Sequence, residues 1–444
     1  MAESLKVCVV GAGPAGFYTA DGLVRGLDGP VEVNLVERLP TPFGLVRAGV
    51  APDHQRIKSV TRAFDKIAGG QGIRFHGGIE VGVDVAHEEL MERHHAVVYA
   101  TGAPLASTLD VPGEDLDGVH PAADLVPWYN AHPDKVELDL DLSGTRAVII
   151  GNGNVAIDVA RVLLSDCDAL AQTDISDRAL GRLRTSTLRE VAIWGRRGPR
   201  HASFTRTELT ELVSMDDVDV LLEGGTDWLE QHLAQPGPAL DAELESLWRD
   251  VAGRVSSGTS RTLVFRFQAV PTGFVGADRV GEIDWRRTEI GGPVDRQSAT
   301  PVGDVQREAV DLVVTATGYR TRPVDGVALV GASGRCEHTE GRLAPGVYVA
   351  GWAKRGPSGV IGTNRSDGTE TARSILADHA AGKLSCPSDE SLDELLDRRG
   401  VSRVGYEGWQ RINAAELSRG TADGRPRVKS DSWKLLLAEA NSGS

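Results

Sequence analysis

The chain has 444 residues, more than one hydrophobic core comfortably serves, so two or three domains are expected. Its 41% apolar and 25% charged content is that of a folded globular chain and excludes intrinsic disorder. A net charge of −15 argues against a nucleic-acid binder, and the lack of any apolar run of about 18 residues argues against a membrane-spanning helix.

The first predicted strand, LKVCVV, starts at Leu5, which leaves no room for a signal or transit peptide, so a cytoplasmic location is expected. The strand runs into GAGPAGFYTADGL, where Gly11, Gly13 and Gly16 open a predicted helix over Ala15–Leu27. In this G-x-G-x-x-G pattern the first glycine allows a tight turn and the second lets backbone approach a pyrophosphate. The third lets helix and strand pack closely. The free N–H groups of the helix then face the phosphates. The next strand, VEVNLV, ends at Glu37, 26 residues beyond Gly11. A carboxylate there accepts hydrogen bonds from both ribose hydroxyls and repels a 2′-phosphate.

APDHQRIK follows, with Pro52 and Asp53 suited to a helix start and His54 beside them. The buried run HAVVYA then ends in Ala-Thr-Gly.

A second unit begins at RAVII (146–150) and GNGNVAIDVARVLL, where Gly151, Gly153 and Ala156 form the G-x-G-x-x-A variant. Its helix is predicted over Val155–Leu164, and residues 165–186 read as an exposed helical insertion. The next long strand, EVAIW, ends in Gly195-Arg196-Arg197, the position held by Glu37 in the first unit. Guanidinium groups match a phosphate in charge and fork geometry, so this end fits the 2′-phosphate of NADP. One unit thus suits FAD and the other NADPH, the pairing of an electron-transfer flavoprotein.

Residues 262–310 alternate in polarity, with turns at Pro271-Thr272-Gly273 and Gly291-Gly292-Pro293, and read as an antiparallel insertion. DLVVTA again ends in Ala-Thr-Gly. GVYVAGWAKRGPSGVIG passes Trp352 and enters a predicted helix after Pro357, whose amides could face a flavin. The C-terminal segment reads as helical and polar, with a basic GRPRVK at 424–429. Cys8, Cys167, Cys336 and Cys386 are too far apart for a CxxC pair or a local metal cluster, so no metal site is expected. Continuous apolar strands alternating with helices predict an α/β fold of two Rossmann-like dinucleotide-binding domains with parallel sheets.

Together, GAGPAG, VERLPTPFGLVRAGVAPDHQRIK, GNGNVAIDVARVLL, GRRGPRHASFTRTELTEL and GWAKRGPSGVIGTNRSDG resemble the adrenodoxin reductase-type ferredoxin–NADP reductases, in a bacterial-type form. The resemblance runs in order from residue 5 to about 375 and touches GRPRVK. It implies a glutathione reductase-like arrangement with the NADP domain inserted in the FAD domain. The expected bounds are 1–106 and 321–444 for FAD, the latter with a C-terminal helical segment, and 107–320 for NADP. It implies an oxidoreductase that passes hydride from NADPH to FAD and single electrons to a ferredoxin-type iron–sulfur protein, for example to supply a cytochrome P450. Carried over residue by residue, it puts Ala15, Glu37, Leu45, Val81, Trp352, Gly359, Val360 and Ile361 on FAD, beside Gly11, Gly13 and Gly16. It puts Asn152, Asn154, Val155, Arg196, Arg197 and Glu208 on NADP, beside Gly151 and Gly153, with Gly359 shared by the nicotinamide end. His54 and Glu211 fall near the flavin–nicotinamide contact as candidate catalytic groups.

Between Arg178 and Arg206 the chain carries eight arginines and one acid, Glu190, so a basic docking face for an acidic ferredoxin is expected there, with Lys354 and Arg355. The rival readings are a flavin monooxygenase with an organic substrate and a non-catalytic NADP sensor. A disulfide reductase and a glutamate-synthase-type electron-entry subunit both need clustered cysteines that this sequence lacks.

Overall fold

The protein's structure is a computed structural model that describes residues 4–258, 261–329 and 336–442. Two compact units divide the described chain: 1–105, 130–136 and 318–444 in one, 106–129 and 137–317 in the other. The second is therefore an insertion in the first. Residues 130–136 belong with the first unit although they lie inside 107–320. Side chains explain this. Lys58 and Lys429 both donate to Asn130 Oδ1 (3.2 and 3.0 Å), and Arg38 and Trp433 both bond Asp134.

The sheet of the first unit has the order Arg342–Ala344, Val347–Val349, Ala96–Tyr99, Leu5–Val10, Val31–Glu37, Ile73–Gly77. Only the Arg342–Ala344 strand runs antiparallel to its neighbour. Helices Pro14–Gly26 and Thr363–Ala380 pack side by side on this sheet, with Gly22 against Ala372. The sheet of the second unit has the order Val119–Pro121, Leu312–Thr315, Arg146–Ile150, Glu190–Gly195, Arg261–Phe267, Val218–Leu222, all parallel. The central strands are buried on both faces, which is why they read as unbroken apolar runs.

Three expectations need correction. Arg261–Phe267 belongs to the parallel sheet, with Leu263, Phe265 and Phe267 buried, and the antiparallel part is only Ala269–Val275, Glu282–Gly291 and Ser298–Ala309. The 165–186 stretch is not simply exposed: its helices Cys167–Ala171 and Asp177–Arg184 bury Leu170, Ala179, Leu180 and Leu183. The helix expected after Pro357 starts later, at Thr363. Edge strands Ile73–Gly77 and Val218–Leu222 went unpredicted, because their polar residues interrupt the apolar run.

A buried polar chain crosses the first unit. His76 Nε2 meets Asn34 Oδ1 at 2.9 Å, Asn34 Nδ2 meets His94 Nε2 at 3.0 Å, and His94 Nδ1 meets Leu90 O at 2.8 Å. Burial pushes both imidazoles down to about 4, with Asp393 opposing the shift at His76. Below the unfolded value of about 6.5 the unfolded chain therefore binds more protons, so stability falls as pH drops from about 6.5 towards 4. The loss is on the order of 3 kcal/mol for His94 at the acid end. Urea midpoints at pH 7 and pH 5 test this. His94→Gln should show a smaller drop than the native chain, and an equal drop in both would contradict it.

Candidate functional site

The two units build the same turn from different sequence. In the first, Val10 pairs in register with Val36, Gly11 N donates to Val36 O (2.7 Å), and Ala100 N donates to Val10 O (2.8 Å). In the second, Ile150 pairs with Trp194, Gly151 N donates to Trp194 O (2.9 Å), and Ala316 N donates to Ile150 O (2.8 Å). Gly11 and Gly151 both have positive φ, +107° and +134°, and a Cβ on either would lie 2.4 or 2.3 Å from the carbonyl oxygen of Ala100 or Ala316. Only glycine fits there. The repeated Ala-Thr-Gly is thus explained: each strand end crosses directly over a glycine turn.

Gly13 and Gly153, by contrast, face open space, with nothing within 4 Å of a built Cβ. Each caps the N-terminus of a helix, Pro14–Gly26 or Asn154–Leu164, so the helix amides open onto that space. This is the surface a pyrophosphate needs.

Around the first turn, Glu37 Oε2 accepts from Ala12 N (3.0 Å) and Oε1 from Leu39 N (3.1 Å). Burial pushes its carboxyl up, and the amides of Leu39 and Ala12 with Arg38 oppose this only in part. The cradle continues through Phe43, whose N donates to Ala12 O at 2.7 Å, to Leu45, an apolar side chain left 40% exposed. Val360 is likewise 62% exposed, and Ile361 is half-buried beside it. Trp352 tilts against Tyr319 with ring centroids 5.9 Å apart. Val81 lies half-buried in the turn after Ile73–Gly77, packed partly on the Val10–Val36–Tyr99 cluster. His54 caps the short helix Gln55–Lys58. Open glycine, paired carboxylate and exposed apolar side chains together fit FAD.

Asp367 holds the Gly351–Arg355 turn. Its carboxylate accepts from Gly351 N, from Lys354 Nζ (2.7 Å) and from Arg355 Nη1 (3.1 Å). Lys354 is 4% exposed and also pairs with Glu370 at 2.8 Å. It cannot serve in a docking face. Four other arginines of the expected face stay about half exposed but have acids beside them: Arg178 pairs with Glu137, Arg182 with Asp139, Arg184 with Asp168 and Arg206 with Glu243. Arg200 donates to Leu233 O and Gln235 O (both 2.8 Å), capping the helix Gly225–Leu233. Local charge counting missed these acids because they come from distant parts of the sequence.

Arg196 and Arg197 are different. Neither has a carboxylate partner among the described residues. Burial and then the charge of Arg196 pull Arg197 below its ordinary value. Two adjacent unpaired guanidiniums invite an anion. The register also sharpens the comparison with the first unit. Gly195, not Arg196, is the strand neighbour equivalent to Glu37, and the arginines begin one residue beyond it. Gly195 packs against the side chain of Asn152, where a built Cβ would lie 3.0 Å from Asn152 Nδ2, so the arginine loop and the glycine turn are adjoining. Asn154 Oδ1 accepts from Thr205 N (3.0 Å), and Val155 follows it in the first turn of the helix. On the helix Arg206–Val213, half-buried Glu208 lies 3.5 Å from Arg161 Nη1 and Glu211 is exposed.

No helix of the described residues is long and apolar enough to cross a membrane. The family model of pyridine nucleotide-disulphide oxidoreductases matches residues 5–192. The NADPH-ferredoxin reductase FprA of Mycobacterium tuberculosis is 42% identical over 97% of this chain and 98% of its own length. The mitochondrial NADPH:adrenodoxin oxidoreductase of Salvelinus fontinalis is 40% identical over 96% and 89%. The solved structure of Mycobacterium tuberculosis FprA in complex with NADPH superposes with a TM-score of 0.92 at 40% identity, covering 99% of this chain and all of that one. The chain belongs to the adrenodoxin reductase-type family of ferredoxin–NADP reductases, FAD- and NADP-dependent oxidoreductases with two Rossmann-like units.

Proposed function

We propose that the first unit holds FAD, the second holds NADPH, and the protein moves electrons from NADPH to a ferredoxin-type iron–sulfur protein. The observation that carries this is the reversal of charge at matched strand ends: Glu37 after one glycine turn, Arg196 and Arg197 after the other. FAD, when bound, would supply the chemistry that converts a hydride donor's electron pair into single-electron output. The chain's own task is to bind both nucleotides, orient them and exclude water. Gly11, Gly13, Ala15 and Gly16 receive the FAD pyrophosphate, Glu37 its ribose, and Leu45, Val81, Trp352 and Gly359–Ile361 its remaining faces. Gly151–Val155 receive the NADP pyrophosphate, Arg196 and Arg197 its 2′-phosphate, and Glu208 the same nucleotide. The reading includes a cytoplasmic location and a cytochrome P450 as one sink downstream of the ferredoxin.

His54 and Glu211 are read as groups serving the flavin–nicotinamide contact. His54→Ala should slow flavin reduction by about tenfold at saturating NADPH while KM changes little, because positioned acid–base groups act on the transition state. Stopped-flow reduction measures it, and an unchanged limiting rate removes His54 from the chemistry. For the function as a whole, the test is cytochrome c reduction by NADPH with and without an added ferredoxin. The expected result is strong stimulation by the ferredoxin. No stimulation, with NADPH oxidation driven instead by an organic substrate and oxygen, would sink the reading.

A further inference from the structure

The loop that follows the two arginines rests on a buried ring. Gly198 begins the turn Pro199–His201, and a Cβ built on it would lie 2.0 Å from both Cε1 and Nε2 of His232. His232 sits near the end of the helix Gly225–Leu233 and is 4% exposed. Neither ring nitrogen has a hydrogen-bond partner among the described residues. Burial, with Arg200 and His201 nearby, pushes the imidazole down to about 4, so the ring is neutral. It stacks on Trp228, with centroids 5.1 Å apart and planes 5° apart, and Trp228 stacks on Phe267 at 6.0 Å. Phe267 lies beside Gly195 in the sheet.

The same loop is tied at its far side. Arg200 donates to two carbonyls just beyond His232, and His201 Nε2 meets Gln297 Oε1 at 2.8 Å. Gln297 Nε2 in turn donates to Pro236 O at 2.9 Å. At the arginines themselves, Thr288 Oγ1 donates to Arg196 O (2.6 Å) and Gln268 N contacts Arg197 O at 3.4 Å. Arg196 and Arg197 therefore leave a backbone fixed on both sides, and on one of them the fixture is a flat ring. A buried polar ring without a protein hydrogen-bond partner among the described residues is costly, which puts the weight on its shape against what it touches.

We propose that His232 is a specificity-determining positioning residue: it forms the plate that seats Gly198, and so sets Arg196 and Arg197 to receive the 2′-phosphate that distinguishes NADPH from NADH. The proposal rests on the reading that these two arginines hold that phosphate. Gly198 has φ −88° and ψ −179°, ordinary extended backbone, so an added methyl meets the ring and no backbone strain. The ring's role lies in its thickness and flatness, not in a hydrogen bond.

The test is the ratio of kcat/KM for NADPH to that for NADH, measured on FAD-containing enzyme. His232→Ala and Gly198→Ala should each lower the ratio about tenfold, through KM for NADPH, with NADH little changed. Combined, the two should lose far less than the product of the single losses, since the alanine methyl then occupies the space the ring vacates. Multiplying losses, or equal losses for NADPH and NADH, would overturn the proposal. The Arg196→Ala/Arg197→Ala variant is the separate arm. If it keeps the native ratio, the arginine reading itself is wrong; if it loses the ratio and His232→Ala does not, only the role of His232 is wrong.

Discussion

Replacing Arg196 and Arg197 together by alanine should raise KM for NADPH by roughly a hundredfold and leave kcat and the response to NADH nearly unchanged. The magnitude follows from two charge-assisted contacts to one phosphate at the low end of their range, about 1.5 kcal/mol each, as expected for side chains partly open to solvent. Nothing else in the arrangement competes for these side chains, since no carboxylate among the described residues pairs with either. Arg196 is exposed and Arg197 half-buried, so part of the effect is screened by salt. A lysine at both positions should recover only part of the affinity, because an ammonium is a point charge without the bidentate fork. Steady-state kinetics with both nucleotides measures this. A parallel loss with NADPH and NADH would show a folding defect in the second unit instead.

The second large effect should come from a residue far from either glycine turn in the sequence. Glu416 has no exposed side-chain surface and receives Arg47 Nη1 (2.8 Å), Arg47 Nη2 (2.5 Å), Arg427 Nη1 (2.7 Å) and Ser430 N (2.9 Å). Burial alone would raise its pKa, but Arg47, Arg427 and the Ser430 amide outweigh it and hold it at about 2. Arg47 lies in the short helix Leu45–Ala48, just after Gly44, where a built Cβ would be 3.2 Å from Gly13 Cα. Its guanidinium also lies 5.5 Å from the ring centre of Trp409. The helix Tyr406–Ala422 and the GRPRVK segment that follows it thus fasten the loop that lies on the first glycine turn.

Glu416→Ala removes the buried carboxylate that Arg47 and Arg427 both bond, a change that costs about 3–5 kcal/mol. The expected result is a protein purified with little flavin and with a lowered Tm, partly restored by excess FAD through mass action. Flavin content after gel filtration and the Tm with and without FAD give the readout. Full flavin retention would show that this clamp does not support the cradle.

Both nucleotide turns were legible in the sequence because their requirements are local. A glycine with positive φ, a helix start and a strand end all fall within a few residues, as at Gly11 and Gly151. The charge reversal between Glu37 and Arg196–Arg197 was legible for the same reason, although only register showed the arginines one residue further out. Pairing at a distance left no such trace. The arginines at 178, 182, 184 and 206 read as a free basic patch, yet their acids come from Glu137, Asp139, Asp168 and Glu243. Lys354 and Arg355 read as surface charge, yet Asp367 draws both inward. Glu416 and His232 gave no signal, since an acid or a histidine within a helix is ordinarily solvated. Their meaning comes from Arg47 and Gly198, which only folding brings to them.

The most direct test of the account is anaerobic reduction of the flavin in the purified protein by each nucleotide. The native protein should be yellow and bleached by NADPH at a far lower concentration than by NADH, with the difference erased in the Arg196→Ala/Arg197→Ala variant. Equal bleaching by NADPH and NADH in the native chain would contradict it.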